Sequence, residues 1–224
     1  MHKALTLTLA MGTCLAGMSD VSEFGGFEPG AEKYWNGPHG GGEGGATGSG
    51  GFFAADDLNF VHKGEQAARL DVTGGAGPAK SIGWSCIEQV APCTPRGRLH
   101  VNAWLYASSS VSPMSSTGTT AQLRVEYFSD DAGKQIIPTH VVLGPPFGPA
   151  AGHRQNRWYN ISVQDRVPDD AHSLKLSVVL MSPHAGPNTE AVWVDDIAIL
   201  QEGRRNALRP SEKTPSPPTR PTEP

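Results

Sequence analysis

Leu99, Val101, Ala103 and Leu105 alternate with His100, Asn102, Trp104 and Tyr106. Side chains that repeat every second residue share one face of a β-strand, so 99–107 predicts a strand with an aliphatic face and a polar-aromatic face. Short apolar runs recur at 21–28, 52–61, 66–73, 82–90, 121–128, 135–143, 158–163, 174–181 and 191–200. Turn formers separate several of them: Pro92 to Gly97, a hairpin sequence at 129–134, a Ser/Thr stretch at 108–119 and a Pro/Gly stretch at 144–152. No segment keeps a helical period over ten residues. Nine or ten short strands at this spacing predict an all-β chain, a two-sheet antiparallel β-sandwich of jelly-roll type over 17–201. Residues 37–51 hold nine glycines and no phosphate-loop lysine, and read as a flexible loop.

Composition supports this outline. The 224 residues include 27 Gly and 19 Pro, which disfavour helices and suit strands and turns. A net charge of −4 excludes a general nucleic-acid binder, which would be basic. The start, Met1-His2-Lys3 followed by a short apolar run and small residues, predicts a secretory signal peptide over 1–16. Cys14 offers a second outcome, lipid attachment at a processed cysteine. No other apolar run approaches the ~18 residues of a membrane-spanning helix. Residues 202–224 are Pro-rich and mildly basic and predict a disordered tail. Cys86 and Cys93 form an even pair in an exported chain, which suggests a disulfide. A straight strand would hold them about 23 Å apart, at ~3.3 Å per residue, so the bridge requires a turn between them, at Ala91-Pro92.

Several landmarks carry a resemblance. Phe24-Gly25-Gly26-Phe27-Glu28, Gly64-Glu65-Gln66-Ala67-Ala68-Arg69-Leu70, Gln89 with Pro95 to Leu105, Trp158 with Val167-Pro168-Asp169-Asp170-Ala171, and Val194-Asp195-Asp196-Ile197 follow in order. Together they resemble the galactose-binding-like jelly rolls, a fold that includes many carbohydrate-binding modules. The chain departs from that pattern in its Gly-rich insertion and in Phe24 at the opening Asn. The resemblance implies a structural Ca²⁺, with Glu28, a residue near Glu65, and Asp195 as ligands. The closing strand makes a related physical point. Adjacent acids in an apolar strand face opposite sides, so one of Asp195 and Asp196 is expected to point inward. A buried carboxylate needs backbone hydrogen bonds or a cation.

No catalytic constellation stands out. Adjacent Asp pairs on a strand or turn do not make a glycosidase dyad, the eight histidines show no zinc spacing, and no G-x-S-x-G occurs. The expectation is a non-enzyme. Sugar recognition would use aromatic rings with polar neighbours on an open face. The face carrying His100, Asn102, Trp104 and Tyr106 is the candidate, with Trp84, Arg124 and Glu126 added from neighbouring strands. The leading expectation is therefore an exported glycan-binding module. The alternative is a structural or accessory subunit of a protein complex at the outer side of a membrane.

Overall fold

A computed structural model describes residues 18–20, 25–74, 81–116 and 118–202. The signal-peptide segment, Cys14 and the Pro-rich tail beyond Glu202 lie outside these residues. The strands are β1 (Met18–Asp20), β2 (Asn36–Glu43), β3 (Thr47–Ala54), β4 (Gln66–Thr73), β5 (Ile82–Pro92), β6 (Arg98–Ala107), β7 (Thr120–Phe128), β8 (Ile136–Leu143), β9 (Arg157–Arg166), β10 (Ser173–Ser182) and β11 (Thr189–Glu202). One sheet runs β3-β4-β11-β6-β9, with β1 pairing the far end of β11; the other runs β2-β5-β10-β7-β8. All pairings are antiparallel. The chain is the two-sheet sandwich that the alternation predicts.

The core lies between the sheets. Leu99, Val101, Ala103 and Leu105 of β6 face inward, with Leu70 and Val72 of β4 and Val192 and Val194 of β11 beside them. Across the interface stand Leu174, Leu176, Val178 and Leu180 of β10 and Leu123, Val125 and Tyr127 of β7. β6 buries alternate residues over most of its length, while β7, β10 and β11 also bury part of their outer faces.

Three expectations about elements change. The Gly-rich segment is two strands rather than a flexible loop. β2 joins the five-stranded sheet and β3 the other, so the hairpin closes the sandwich edge. Glycine is required there because backbones meet: a Cβ on Gly48 would run into the Trp84 carbonyl and lie 3.0 Å from the Gly40 Cα. Of the run at 21–28, residues 21–24 lie outside the described residues, and 25–28 form a turn rather than a strand. Phe27 is fully buried but sits at φ 52°, in the turn leading to a short 3-10 helix, Ala31–Lys33. The run at 52–61 stops being a strand at Ala54, and the chain then crosses the outer face of the β4-β11-β6 sheet.

Candidate functional site

That crossing segment decides the fate of the aromatic face on β6. The Phe60 ring packs 4.5 Å from Tyr106 and 4.9 Å from Trp193, and the His62 ring stacks 4.2 Å over Trp104. Tyr106 is 8% exposed and Trp193 is fully buried. Trp158 completes the cluster, 5.3 Å from both Tyr106 and His62. Tyr106 therefore belongs to a small second core, whereas Trp104 stays half-buried under His62 and lines, with Asn102, Lys63 and Asp196, a depression of about 540 Å³. His100 and Asn102 sit half-buried further along β6.

The segment is held down by acids of the closing strand. Asp195 is opposite Trp104 in register, so it lies on the outer side of its sheet and not toward the sandwich interior. The crossing segment buries it completely. Its Oδ2 accepts the amides of His62 (2.9 Å) and Lys63 (3.1 Å), and its Oδ1 accepts the Asp196 amide (2.8 Å). Burial pushes the Asp195 carboxyl up to about 6, against the pull of those three amides. Asp196 follows at φ 47° in a bulge of β11, and its Oδ2 lies 2.6 Å from His62 Nδ1.

The calcium ligands predicted from Glu28, Glu65 and Asp195 do not assemble as three carboxylates. Glu28 accepts the backbone amide of Glu65 (3.0 and 3.2 Å), while the Glu65 side chain is exposed. Asp195 is occupied by amides. The carboxylates that flank Gly26 are Glu28 and Asp196: each has an oxygen 3.8 Å from the point where Gly26 would carry a Cβ. The missing Cβ leaves a cradle between two acids, a donor set that suits a hard cation.

Trp84, Arg124 and Glu126 lie on the other sheet, so the structure divides the predicted ligand set between two faces. On the outer side of β2-β5-β10-β7-β8, Trp84 is 36% exposed. A band of charge crosses the strands beside it. Arg124 Nη2 donates to Glu126 Oε1 (2.7 Å), and Lys175 Nζ reaches Glu126 (3.0 Å) and Glu88 (3.3 Å). Ser177 Oγ donates to Glu88 Oε1 (3.1 Å). Two depressions flank this band. One, about 350 Å³, is lined by Gln122, Arg124, Val141, Leu143, Val179 and Met181, with Thr120 at its edge. The other, about 330 Å³, lies between Tyr34, Asn36, Glu88, Val90 and Lys175. Met181, directly opposite Trp84 in register, Leu143 and Val141 are all well exposed.

The disulfide is not formed. β5 runs unbroken from Ile82 to Pro92, so no turn folds Cys86 back toward Cys93, and both thiols are free. Burial raises the Cys86 thiol to about 11 and the Cys93 thiol to about 12. Cys86 instead meets His39 of β2, with Sγ 3.3 Å from Nε2.

The sequence reading missed His39, Glu88, Lys175, Gln122 and Met181. Alternation along each strand assigns them an outward face. Only the strand order, in which β5 neighbours β10 and β2, brings them together.

No protein-family profile matches the chain, and no curated protein matches it. Among solved structures, 80% of this chain aligns with the enzymatically active domain of bacteriophage CBA120 tailspike protein 4, with TM-score 0.52 and 13% identity. The chain spans only 21% of that domain's chain. It also aligns over 82% of its length with 99% of TmCBM61 in complex with beta-1,4-galactotriose (TM-score 0.48, 14% identity). Family 16 Carbohydrate Binding Module-2 aligns over 80% of this chain and 98% of its own (TM-score 0.46, 16% identity). At these identities the likeness is one of fold alone.

Proposed function

We propose that the chain is an exported, non-catalytic glycan-binding module whose sugar surface is the outer face of β2-β5-β10-β7-β8. The observation that carries this reading is the composition of that open face. Sugars present apolar C–H faces and a rim of hydroxyls. A partly exposed indole beside Met181, with Val141 and Leu143 on the far edge strand of the same face, suits the first, and Arg124, Gln122, Lys175 and the paired acids suit the second. On the β6 side Phe60 covers Tyr106, and the depression of about 540 Å³ beside Asn102 is lined by Lys63, Asp196 and the one ring of Trp104 stacked under His62, without a large exposed aliphatic side chain.

A panel of soluble polysaccharides, screened by affinity electrophoresis and followed by calorimetry, tests this. Trp84→Ala and Arg124→Ala are each expected to weaken binding about tenfold or more, the scale of a residue central to recognition. Trp104→Ala is expected to leave affinity unchanged while lowering stability. Binding that survives both face variants, or that vanishes with Trp104→Ala alone, refutes the assignment of the surface.

We further propose that Ca²⁺ occupies the Gly26 cradle, held by Glu28 and Asp196. The ion would tie the start of the domain to its last strand. Addition of millimolar CaCl₂ to chelator-treated protein is expected to raise Tm by several degrees, and Glu28→Gln to abolish the rise. An unchanged Tm in wild type would leave the backbone amides as the corner's only support.

A further inference from the structure

We propose that His39, Cys86 and Glu88 form a binding site for a thiophilic divalent cation of the zinc class, on the edge of the five-stranded sheet. Nothing in the spacing along the chain suggests it, since His39 is 47 residues from Cys86. Strand pairing creates it. His39 of β2 is the direct cross-strand partner of Cys86 on β5. Glu88 is two residues further along β5, on the same face. One ligand atom from each of the three lies within 4.8 Å of the others, and this is the sole such group among the described residues.

The geometry and the chemistry agree. Sγ of Cys86 and Nε2 of His39 are 3.3 Å apart. Two ligands at ~2.3 Å (S) and ~2.0–2.1 Å (N) on a tetrahedral zinc stand about 3.6 Å apart, so an ion enters with a shift of a few tenths of an ångström. A thiolate, an imidazole and a carboxylate favour zinc or cobalt over calcium or magnesium, which take oxygen ligands. Three protein ligands leave the fourth position open to water or to an oxygen of a bound molecule.

Outer groups hold two of the ligands in place. Ser177 and Lys175 bond Glu88, and Lys175 has a second carboxylate in Glu126, so Glu88 can turn an oxygen to the ion without stranding the ammonium. Gly37 makes room for the imidazole: a Cβ there would lie 2.8 Å from His39 Nδ1. The opposite edge of the site is Trp84, whose ring meets His39 at 5.9 Å, nearly perpendicular. Binding replaces the Cys86 S–H bond with a metal–sulfur bond and releases that proton to solvent, so affinity falls as pH falls.

Co²⁺ titration of the full chain, purified without a polyhistidine tag, tests the proposal independently of any sugar. The expected result is a near-ultraviolet thiolate-to-cobalt charge-transfer band with intense tetrahedral visible bands, bleached by Zn²⁺. Cys86→Ser is expected to abolish the charge-transfer band. His39→Ala and Glu88→Gln are each expected to weaken Co²⁺ binding about tenfold or more, and Cys93→Ser is expected to change nothing. Circular dichroism confirms that each variant folds; if Cys86→Ser does not, the His39 and Glu88 variants carry the same comparison. No charge-transfer band in wild type overturns the site. So does a band that survives Cys86→Ser in folded protein, or affinity indifferent to both His39→Ala and Glu88→Gln.

Discussion

Asp195→Ala is expected to cost about 3–5 kcal/mol, a large part of the ~5–15 kcal/mol by which a domain is stable. The variant removes the acceptor for three backbone amides at once, those of His62, Lys63 and Asp196. Each buried donor left without a partner costs roughly 1–3 kcal/mol, although freed amides at the surface would regain water. The loss should appear first as local opening. Without those bonds the crossing segment leaves the sheet and exposes Trp104, Tyr106 and Trp193, so tryptophan emission should shift to the red at denaturant concentrations where the β-sheet circular dichroism is intact. His62→Ala provides the contrast. It deletes the stack on Trp104 and the contact to Asp196 but leaves both amides bonded to Asp195. It should cost about 1–2 kcal/mol, the scale of one ring contact with its hydrogen bond. Urea denaturation of the two variants decides the matter. An Asp195→Ala protein within 1 kcal/mol of wild type would show that the amides find other partners and that Asp195 does not staple the segment.

That corner also shows where sequence stops informing. The choice of Asp195 came from the resemblance. That one of the two acids in the apolar closing strand is buried was legible from the strand itself, and so was its need for hydrogen bonds or a cation. Its direction was not. Alternation assigns a side chain to a side of the sheet, and the inner side seemed the buried one. Here the outer side is buried too, because Phe60 and His62 cross it. The same crossing buries Tyr106 and half-covers Trp104 on the β6 face, and no pattern within 99–107 could have shown it. Trp104 and Tyr106 look alike in sequence whether solvent or a loop lies over them.

The candidate binding face was legible in part. Trp84, Arg124 and Glu126 were expected beside the β6 face, but β5 and β7 belong to the other sheet, so these three residues share a face with one another and not with Trp104. Which sheet each strand joins depends on long-range order, and the pairs His39–Cys86 and Trp84–Met181 lie far apart along the chain. The aliphatic face at 99–105 was read correctly for a simple reason: its side chains themselves form part of the core that dictates the fold. The Gly-rich segment failed for the converse reason. A strand is recognised by its side chains, and β2 and β3 are strands whose role is to have few.

Gly48→Ala is accordingly expected to be among the most damaging methyl additions in the protein, costing upwards of about 3 kcal/mol. The new Cβ would collide with the Trp84 carbonyl, and the Trp84 carbonyl carbon and the Gly40 Cα lie at 2.7 and 3.0 Å. All are backbone atoms, so no side chain can rotate away. Relief requires β3 to separate from β2 and β5, which also stretches the Ser85 hydroxyl bond to the Ser49 carbonyl (2.6 Å) across the same gap. Gly41→Ala, seven residues earlier in the same segment, is the counterpart. Its nearest neighbours are Trp84 ring atoms at 3.6 Å, an ordinary contact, and the added methyl lowers the entropy of the unfolded chain. It should change stability by no more than about 0.5 kcal/mol, in either direction. Thermal denaturation of the pair separates two views of the segment. A flexible loop would accept both alanines equally. Close backbone packing at the sandwich edge predicts a wide gap between them. Because Gly48 presses on the backbone of Trp84, the damaged variant should also lose whatever ligand affinity the Trp84 face carries, while Gly41→Ala keeps its fold and leaves Trp84 in place.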